Sequence, residues 1–280
     1  MPPPDIITTA QLARRIGLPD APALLDLRTP EDFAADPRAL PGSLRASHTN
    51  VAGWAESWRG RDVVVICQKG LKLSQGAAAW LRHHGARAEA LEGGFLAWEA
   101  AGLPLVSPTH LPPRDAQGRT LWVTRARPKV DRALPEASLR LDACPWLIRR
   151  FVDPSAVFLF VAPAEVAGVA ERFGATPFDI EGVFWSHRGP RCTFDVMIQE
   201  FGLSMPALDH LALLVRGADT ADLALAPEAA GLLAASLGLS RMHRDDLAQL
   251  EAGLTLYDAF FRWCRDAAQE THNWPTGRPA

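Results

Sequence analysis

Hydrophobic positions fall into two textures along the chain. Over residues 1–106, short apolar runs alternate with amphipathic stretches. Val63-Val64-Val65-Ile66 is a continuous β-branched run, the pattern of a strand buried on both faces of a parallel sheet. Leu24–Leu27 and Ala88–Leu91 are further strand-like runs. Between them, Thr8-Thr9 can cap a helix over Ala10–Ile16 that Gly17 stops. Arg28-Thr29-Pro30-Glu31 reads as a helix start, and Ser74–His83 as an Ala- and Leu-rich helix ended by Gly85. Gly93-Gly94 precede a helix over Phe95–Ala101. Strands alternating with helices predict an α/β domain with a parallel sheet flanked by helices.

Residues 107–119 hold three prolines, a glycine and few apolar groups, and read as a linker. Beyond it, over residues 120–280, helical periodicity dominates. Leu121–Thr124 and Val157–Val161 are strand-like, whereas Ala164–Phe173, Val196–Phe201, Ala207–Val215, Pro227–Leu237 and Asp245–Asp266 carry apolar residues near i, i+3 and i+4. The expectation is an α-rich α+β second domain.

Composition adds exclusions. The 280 residues are 22% charged and 48% hydrophobic, as in globular proteins, and the length fits two domains. A net charge of −3 is not the profile of a protein held on nucleic acid by phosphate neutralisation, so DNA is disfavoured as a partner. No apolar run reaches the roughly 18 residues of a membrane span. The segment Met1–Asp5 lacks the marks of a secretory signal, and four dispersed cysteines make no disulfide framework, so a cytoplasmic protein with thiol cysteines is expected. Charge is uneven: Arg119–Arg150 carries eight bases and three acids, Asp219–Glu270 nine acids and four bases. Intramolecular pairing explains such a division; a basic site for an oxyanion is the sharper alternative.

The strongest chemical signal is Cys67-Gln68-Lys69-Gly70-Leu71-Lys72, directly after the β-branched run and before a helix. This order places the sulfur at the carboxyl edge of a parallel sheet, where α/β folds bind ligands. It also sets the sulfur near the amide-rich start of a helix, with Lys69 and Lys72 adding positive charge; all three influences favour the thiolate, the form that attacks. Gly70 lets the backbone curl so that successive N–H groups can meet an anion. A buried structural cysteine is the plainer reading of a lone Cys; the glycine, the lysines and the strand–loop–helix setting argue against it.

Over roughly residues 5–106 the chain resembles the rhodanese-type sulfurtransferases. The resemblance lies in Leu24–Phe33, in the turn Leu40-Pro41-Gly42-Ser43, in the loop Cys67–Lys72, and in the closing segment Leu91–Trp98. It implies that Cys67 takes a sulfane sulfur from a thiosulfate-type donor, carries it as a persulfide and passes it to a thiol or other thiophilic acceptor, with no cofactor. It implies further that Lys72 assists, and that Gln68, Lys69, Gly70, Leu71, Arg28 and Asp26 surround the anion. The family commonly has Arg where Lys72 stands, and a fork-shaped donor is lost there. A histidine common before the Pro-Gly turn is replaced by Ala39-Leu40. The related cysteine phosphatases need Cys-x5-Arg, and that arginine position is Leu73.

Residues 120–266 resemble the C-terminal domain of the chromate-resistance protein ChrB, through Trp122–Asp131, Ala143–Asp153, Phe184–Gly189, Arg191–Asp195, Val215–Thr220 and Gly238–His243, with Arg132–Asp142 standing as an insertion. This implies a link to chromate resistance or sensing without fixing a reaction. Among the polar residues, His187, Cys192 and Cys144 could give a soft or borderline metal ion N and S ligands, although no tight metal motif is present. Asp195 and His243 belong to the same set of candidates. Arg125, Arg127, Arg149 and Arg150 could instead meet chromate or another oxyanion. A cytoplasmic sulfurtransferase is therefore the leading reading. A chromate-responsive regulator, or a metal-binding protein with an inactive or redox-sensing first domain, is the alternative.

Overall fold

The computed structural model describes residues 5–126 and 142–270. The first half runs β1 (Ile6–Ile7), α1 (Thr9–Ala13), β2 (Ala23–Asp26), α2 (Pro30–Ala35), β3 (Leu44–Arg45), α3 (Val51–Trp54), β4 (Asp62–Ile66), α4 (Lys72–His83), β5 (Arg87–Leu91) and α5 (Gly94–Ala100). Its strands make one parallel sheet in the order β1-β5-β4-β2-β3. Strand alternation explains the continuous apolar run of β4. Val63 and Val65 face Ala77, Ala78 and Leu81 of α4. Val64 and Ile66 point to the opposite face, toward Phe95 and Trp98.

Local sequence fixes the ends of these elements. Thr8 caps α1 in a reciprocal arrangement with Gln11, and Thr29 caps α2 ahead of Pro30. The expected helix to Ile16 stops at Ala13, because the chain then turns to bury Ile16 and to lay Gly17 against Phe151 and Phe261.

The second half runs β6 (Leu121–Arg125), α6 (Ala143–Leu147) with a π-helical turn over Ile148–Val152, β7 (Val157–Val161), α7 (Val166–Phe173), β8 (Thr176–Pro177), α8 (Thr193–Phe201), α9 (Pro206–Asp219), α10 (Ala229–Met242) and α11 (Asp246–Asp266). The three strands form a small parallel sheet in the order β7-β6-β8. Val123 packs against Val166 of α7, while Trp122 faces the helices that follow. The predicted strands and the five longer helices are present; α9 extends four residues past Val215 to Asp219.

The two halves share a hydrophobic core. Ile7, Leu12, Ile16 and Trp98 from the first half join Trp146, Phe151 and Phe261 from the second in one buried cluster. The residues read as a linker are hydrogen-bonded into this body, with the Ser107 N–H donating to the Phe201 carbonyl at 2.8 Å. Arg127, Lys129, Arg132 and Arg140 of the basic stretch, and the insertion up to residue 141, lie outside the described residues.

Candidate functional site

Cys67 follows β4 directly, at the carboxyl edge of the five-stranded sheet, and the chain needs only four more residues to reach α4. The side chain is tucked in, with Cys67 4% exposed. Its Sγ donates to Ser74 Oγ at 3.2 Å, and Ser74 Oγ donates to the Leu71 carbonyl at 3.2 Å. Gln75 Nε2 closes the loop from outside by donating to the Gly70 carbonyl at 3.1 Å. Ser74 and Gln75 were not singled out from sequence. The available signal was a small hydroxyl residue on the inner face of the first helical turn, seven positions after the cysteine.

The loop rests on the start of α5. The Phe95 N–H donates to the Cys67 carbonyl at 2.9 Å and the Leu96 N–H to the Gln68 carbonyl at 3.1 Å. Two glycines make this seat. Gly70 has φ +68°, and a Cβ there would lie 2.5 Å from the Leu91 carbonyl oxygen and 2.6 Å from the Gly93 nitrogen. Gly94 has φ +62°, and its Cβ would lie 2.2 Å from the Cys67 carbonyl oxygen. Both backbones are left-handed and pressed against other backbone, so only glycine serves.

Among the described residues, the loop amides of Gln68, Lys69, Gly70, Leu71 and Lys72 donate to no protein acceptor. Lys69 and Lys72, both exposed, form no ion pair with any described residue. The loop therefore offers unspent N–H donors and two ammonium groups within five residues of the sulfur, a composition complementary to a small anion. Leu71 stands on its rim, 58% exposed, and the Gln68 Oε1 is buried without a partner.

Arg28 and Asp26 take a different place from the one expected. Arg28 is 1% exposed, and its Nε and Nη2 donate to the Asp26 carboxylate at 2.7–3.1 Å. Nη1 and Nη2 also donate to the Asp36 and Arg38 carbonyls, at 2.8 and 2.7 Å. The guanidinium is committed to protein and lies 4.0 Å over the Phe95 ring. Arg45, which the sequence did not mark, reaches Asp26 at 3.1 Å. The pair is thus scaffold: it braces the edge of β2 and the residue whose N–H holds the Cys67 carbonyl, rather than contacting an anion.

In the second half, the expected set of His187, Cys192 and Cys144 is not assembled. Among the described residues, no three His, Cys, Asp or Glu side chains are disposed to hold a metal ion. Cys192 caps α8, and its Sγ donates to Asp195 Oδ2 at 3.2 Å; burial and the Asp195 charge push its thiol well up, away from the thiolate a metal needs. Cys144 is buried in α6.

His187 turns to other partners. Its Nε2 is 3.2 Å from Asp219 Oδ2 and 3.9 Å from Asp179 Oδ1. Asp179, just past β8, has a left-handed φ of 55° and accepts from Thr193 Oγ1 at 2.8 Å. Asp195 lies 3.4 Å from Arg216 Nε. Burial, with the nearby Asp179 charge, pushes Asp219 up to about 6. Asp179, Asp219 and Arg216 were not marked as site residues because Asp179 follows β8 while Arg216 and Asp219 lie on α9, and no spacing motif joins the two elements.

The charge division resolves partly into pairing. Arg150 forms a two-pronged bond to Asp258 at 2.8 Å, and Arg149 pairs with Glu251. Both arginines thus reach carboxylates of α11, while the Arg149 Nε is buried without a partner. None of the helices in the described residues is long and apolar enough to cross a membrane.

Comparison with known proteins divides the chain in the same way. The family model described as rhodanese-like domain matches residues 8–101, and that described as ChrB, C-terminal domain matches residues 122–264. Protein ChrB of Cupriavidus metallidurans is 34% identical over 159 residues, which span 56% of this chain and 43% of that protein. The chain therefore covers less than half the length of that relative. A sulfurtransferase of Allochromatium vinosum is 31% identical over 103 residues, 36% of this chain and 94% of that protein. Thiosulfate sulfurtransferase GlpE of Pseudoalteromonas translucida is 35% identical over 80 residues, 28% of this chain and 73% of that protein.

Proposed function

We propose, from the premise that the chain belongs to the rhodanese-like and ChrB C-terminal-domain families, that it transfers sulfane sulfur through a persulfide on Cys67. The observation that carries this reading is the loop itself. Among the described residues, five amides without protein acceptors and two lysines without ion pairs stand in the loop that directly follows Cys67 at the sheet edge. The Cys67 thiolate attacks the outer sulfur of a thiosulfate-type donor. A bond forms between Sγ and that sulfur, the donor's S–S bond breaks, and sulfite leaves with the electron pair. The loop amides and Lys72 meet the negative charge of the donor and of the resulting persulfide, which is electrostatic stabilisation by groups already in place. The acceptor then attacks the terminal sulfur and the pair returns to Sγ.

Lys72 in place of the commoner arginine supplies a point charge rather than a planar fork, which suits a compact anion held without a fixed orientation. Similarity of the second domain to protein ChrB supports a link between this sulfur chemistry and chromate resistance or sensing. The test is intact-mass analysis of the full chain after thiosulfate treatment. One added sulfur atom on Cys67, absent from Cys67→Ser, is the expected result. Sulfite release at equal rates from wild type and variant would remove the proposal.

A further inference from the structure

Helix α10 turns an apolar side to solvent. Of its fourteen residues only Ser236, Ser240 and Arg241 are polar. Packing against α9 and α11 buries Ala229, Leu232 and Ser236, so one of the two serines faces the core. The outward side carries Ala230, Gly231, Ala234, Leu237, Gly238 and Met242, all exposed. At about 3.6 residues per turn these six fall on one stripe. Leu237 is 39% exposed and Met242 74%. Leu223 and Leu225 just before the helix, and Leu247 just after it, are exposed as well. A surface helix carries charge on such a side, whereas a helix apolar all round is one that something covers.

Charge points to the occupant. Glu228 stands at the start of α10 and Arg241 in its last turn, and neither forms an ion pair with a described residue. A second α10 laid antiparallel brings each Arg241 to the end that holds the partner's Glu228, with the helix dipoles opposed; a parallel one sets like charge beside like. Shape agrees with this. With the pair centred on Ala234, Leu237 comes opposite Gly231 and Gly238 opposite Ala230, so large meets small. A Cβ at Gly231 or Gly238 would meet nothing within 4 Å. Nothing inside one chain requires these helix-weakening glycines, but close approach of a second backbone does. The face is complementary to itself, as a two-fold interface must be.

We propose that the outward face of α10 is a homodimer interface, in which two copies of this chain pack α10 against α10, antiparallel, about a two-fold axis at Ala234. Leu237 of each copy sits over Gly231 of the other. Met242 reaches the turn that precedes the partner's helix, where Leu225 is exposed. Arg241 and Glu228 close the two ends of the contact. Neither Cys67 nor its loop lies on this helix, so the inference is independent of the persulfide reading.

Sedimentation equilibrium of the full chain tests the pairing. Wild type is expected to pass from 30.4 kDa to twice that mass below about 100 μM. Leu237→Glu, which sets two carboxylates into the apolar stripe, raises the dissociation constant at least a hundredfold. Arg241→Glu raises it at least fivefold, and adding Glu228→Arg restores dimerisation because the exchanged charges meet again. Circular dichroism checks the fold of each variant; Arg241 is exposed, so Arg241→Glu and its rescue carry the test should Leu237→Glu unfold. A wild type that stays monomeric at about 100 μM overturns the proposal. So does a dimer that folded Leu237→Glu leaves intact, which places the contact on another face. A double variant that dimerises no better than Arg241→Glu overturns the antiparallel register.

Discussion

Replacing Gly94 by alanine isolates the seat of the nucleophile loop. The new Cβ would stand 2.2 Å from the Cys67 carbonyl oxygen and 2.4 Å from the Gly70 nitrogen, about 1 Å inside tolerable contact. Neither neighbour is a flexible side chain, so the loop must lift. Left-handed φ on alanine costs about 1–2 kcal/mol. Straining the Phe95 N–H bond to the Cys67 carbonyl adds about 1 kcal/mol. The sum of about 2–3 kcal/mol corresponds to a Tm drop of roughly 3–6 °C for a chain of this size. A displacement near 1 Å at the reacting sulfur also lowers sulfur uptake by about a hundredfold. Gly102→Ala separates the two causes, because Gly102 has φ +64° with nothing within 4 Å of its Cβ. That variant loses about 1–2 kcal/mol through φ alone and keeps wild-type uptake. Thermal unfolding and stopped-flow sulfite release measure both. Gly94→Ala with the Tm and sulfite burst of Gly102→Ala would refute the reasoning.

Other consequences can be measured in parallel. Arg28→Met keeps apolar packing against Phe95 but leaves the buried Asp26 carboxylate with only Arg45 and the residue 28 backbone N–H as partners, so denaturant titration should show a loss of about 3 kcal/mol; a loss under about 1 kcal/mol contradicts the scaffold role. Sulfur uptake from thiosulfate should slow as salt rises, and Lys72→Gln should lower the rate about tenfold and flatten that dependence; a salt-insensitive wild type argues against electrostatic capture. Asp219 holds its proton in the folded chain up to about pH 6, against an ordinary 3.8, so its contribution to stability falls as pH rises between those values and stays lost above pH 6. Asp219→Asn should therefore gain on the order of 1–3 kcal/mol over wild type at pH 7.5 and little at pH 4.5, read as the difference in Tm; equal differences at both pH values count against carboxylate crowding.

The first domain was legible because its signals are local. A β-branched run, a cysteine, a glycine and a helix start occur in one unbroken stretch, so strand, loop and the position of the cysteine at the sheet edge follow from nearest neighbours. The edge of the site was less legible. Arg28 lies two residues from Asp26 in a motif that resembles a catalytic signature, yet its remaining donors go to the Asp36 and Arg38 carbonyls, a destination that only the folded loop reveals. In the second domain, β8 is two residues long, Thr176-Pro177, and no periodicity can announce it. Asp179, His187 and Asp219 meet across up to 40 residues of sequence from a strand end, a loop and a helix end. His187 alone drew attention there, because histidine is the residue whose chemistry shows without its neighbours.

Composition made residues 107–119 look like a tether, and the shared core argues for a different mechanical relation between the halves. Gly17, at φ +78°, lies so close to Phe151 and Phe261 that a Cβ would overlap the Phe151 ring, at 2.3 Å from Cζ. The Gly42 N–H donates to the Phe151 carbonyl at 2.6 Å. Burying one large apolar side chain is worth about 1.5–3 kcal/mol, and Leu12, Ile16, Trp146, Phe151 and Phe261 all sit in this cluster. Cutting the chain after residue 106 would bare Leu12 and Ile16 on the first half, a loss of about 3–6 kcal/mol against the roughly 5–15 kcal/mol that holds a domain together. The Pro41-Gly42 turn that meets Phe151 continues the segment whose Asp36 and Arg38 carbonyls hold Arg28, and Arg28 packs on Phe95, whose N–H holds the Cys67 carbonyl. The second domain is thus part of the support of the Cys67 loop, joined to it by a continuous series of packed and hydrogen-bonded groups.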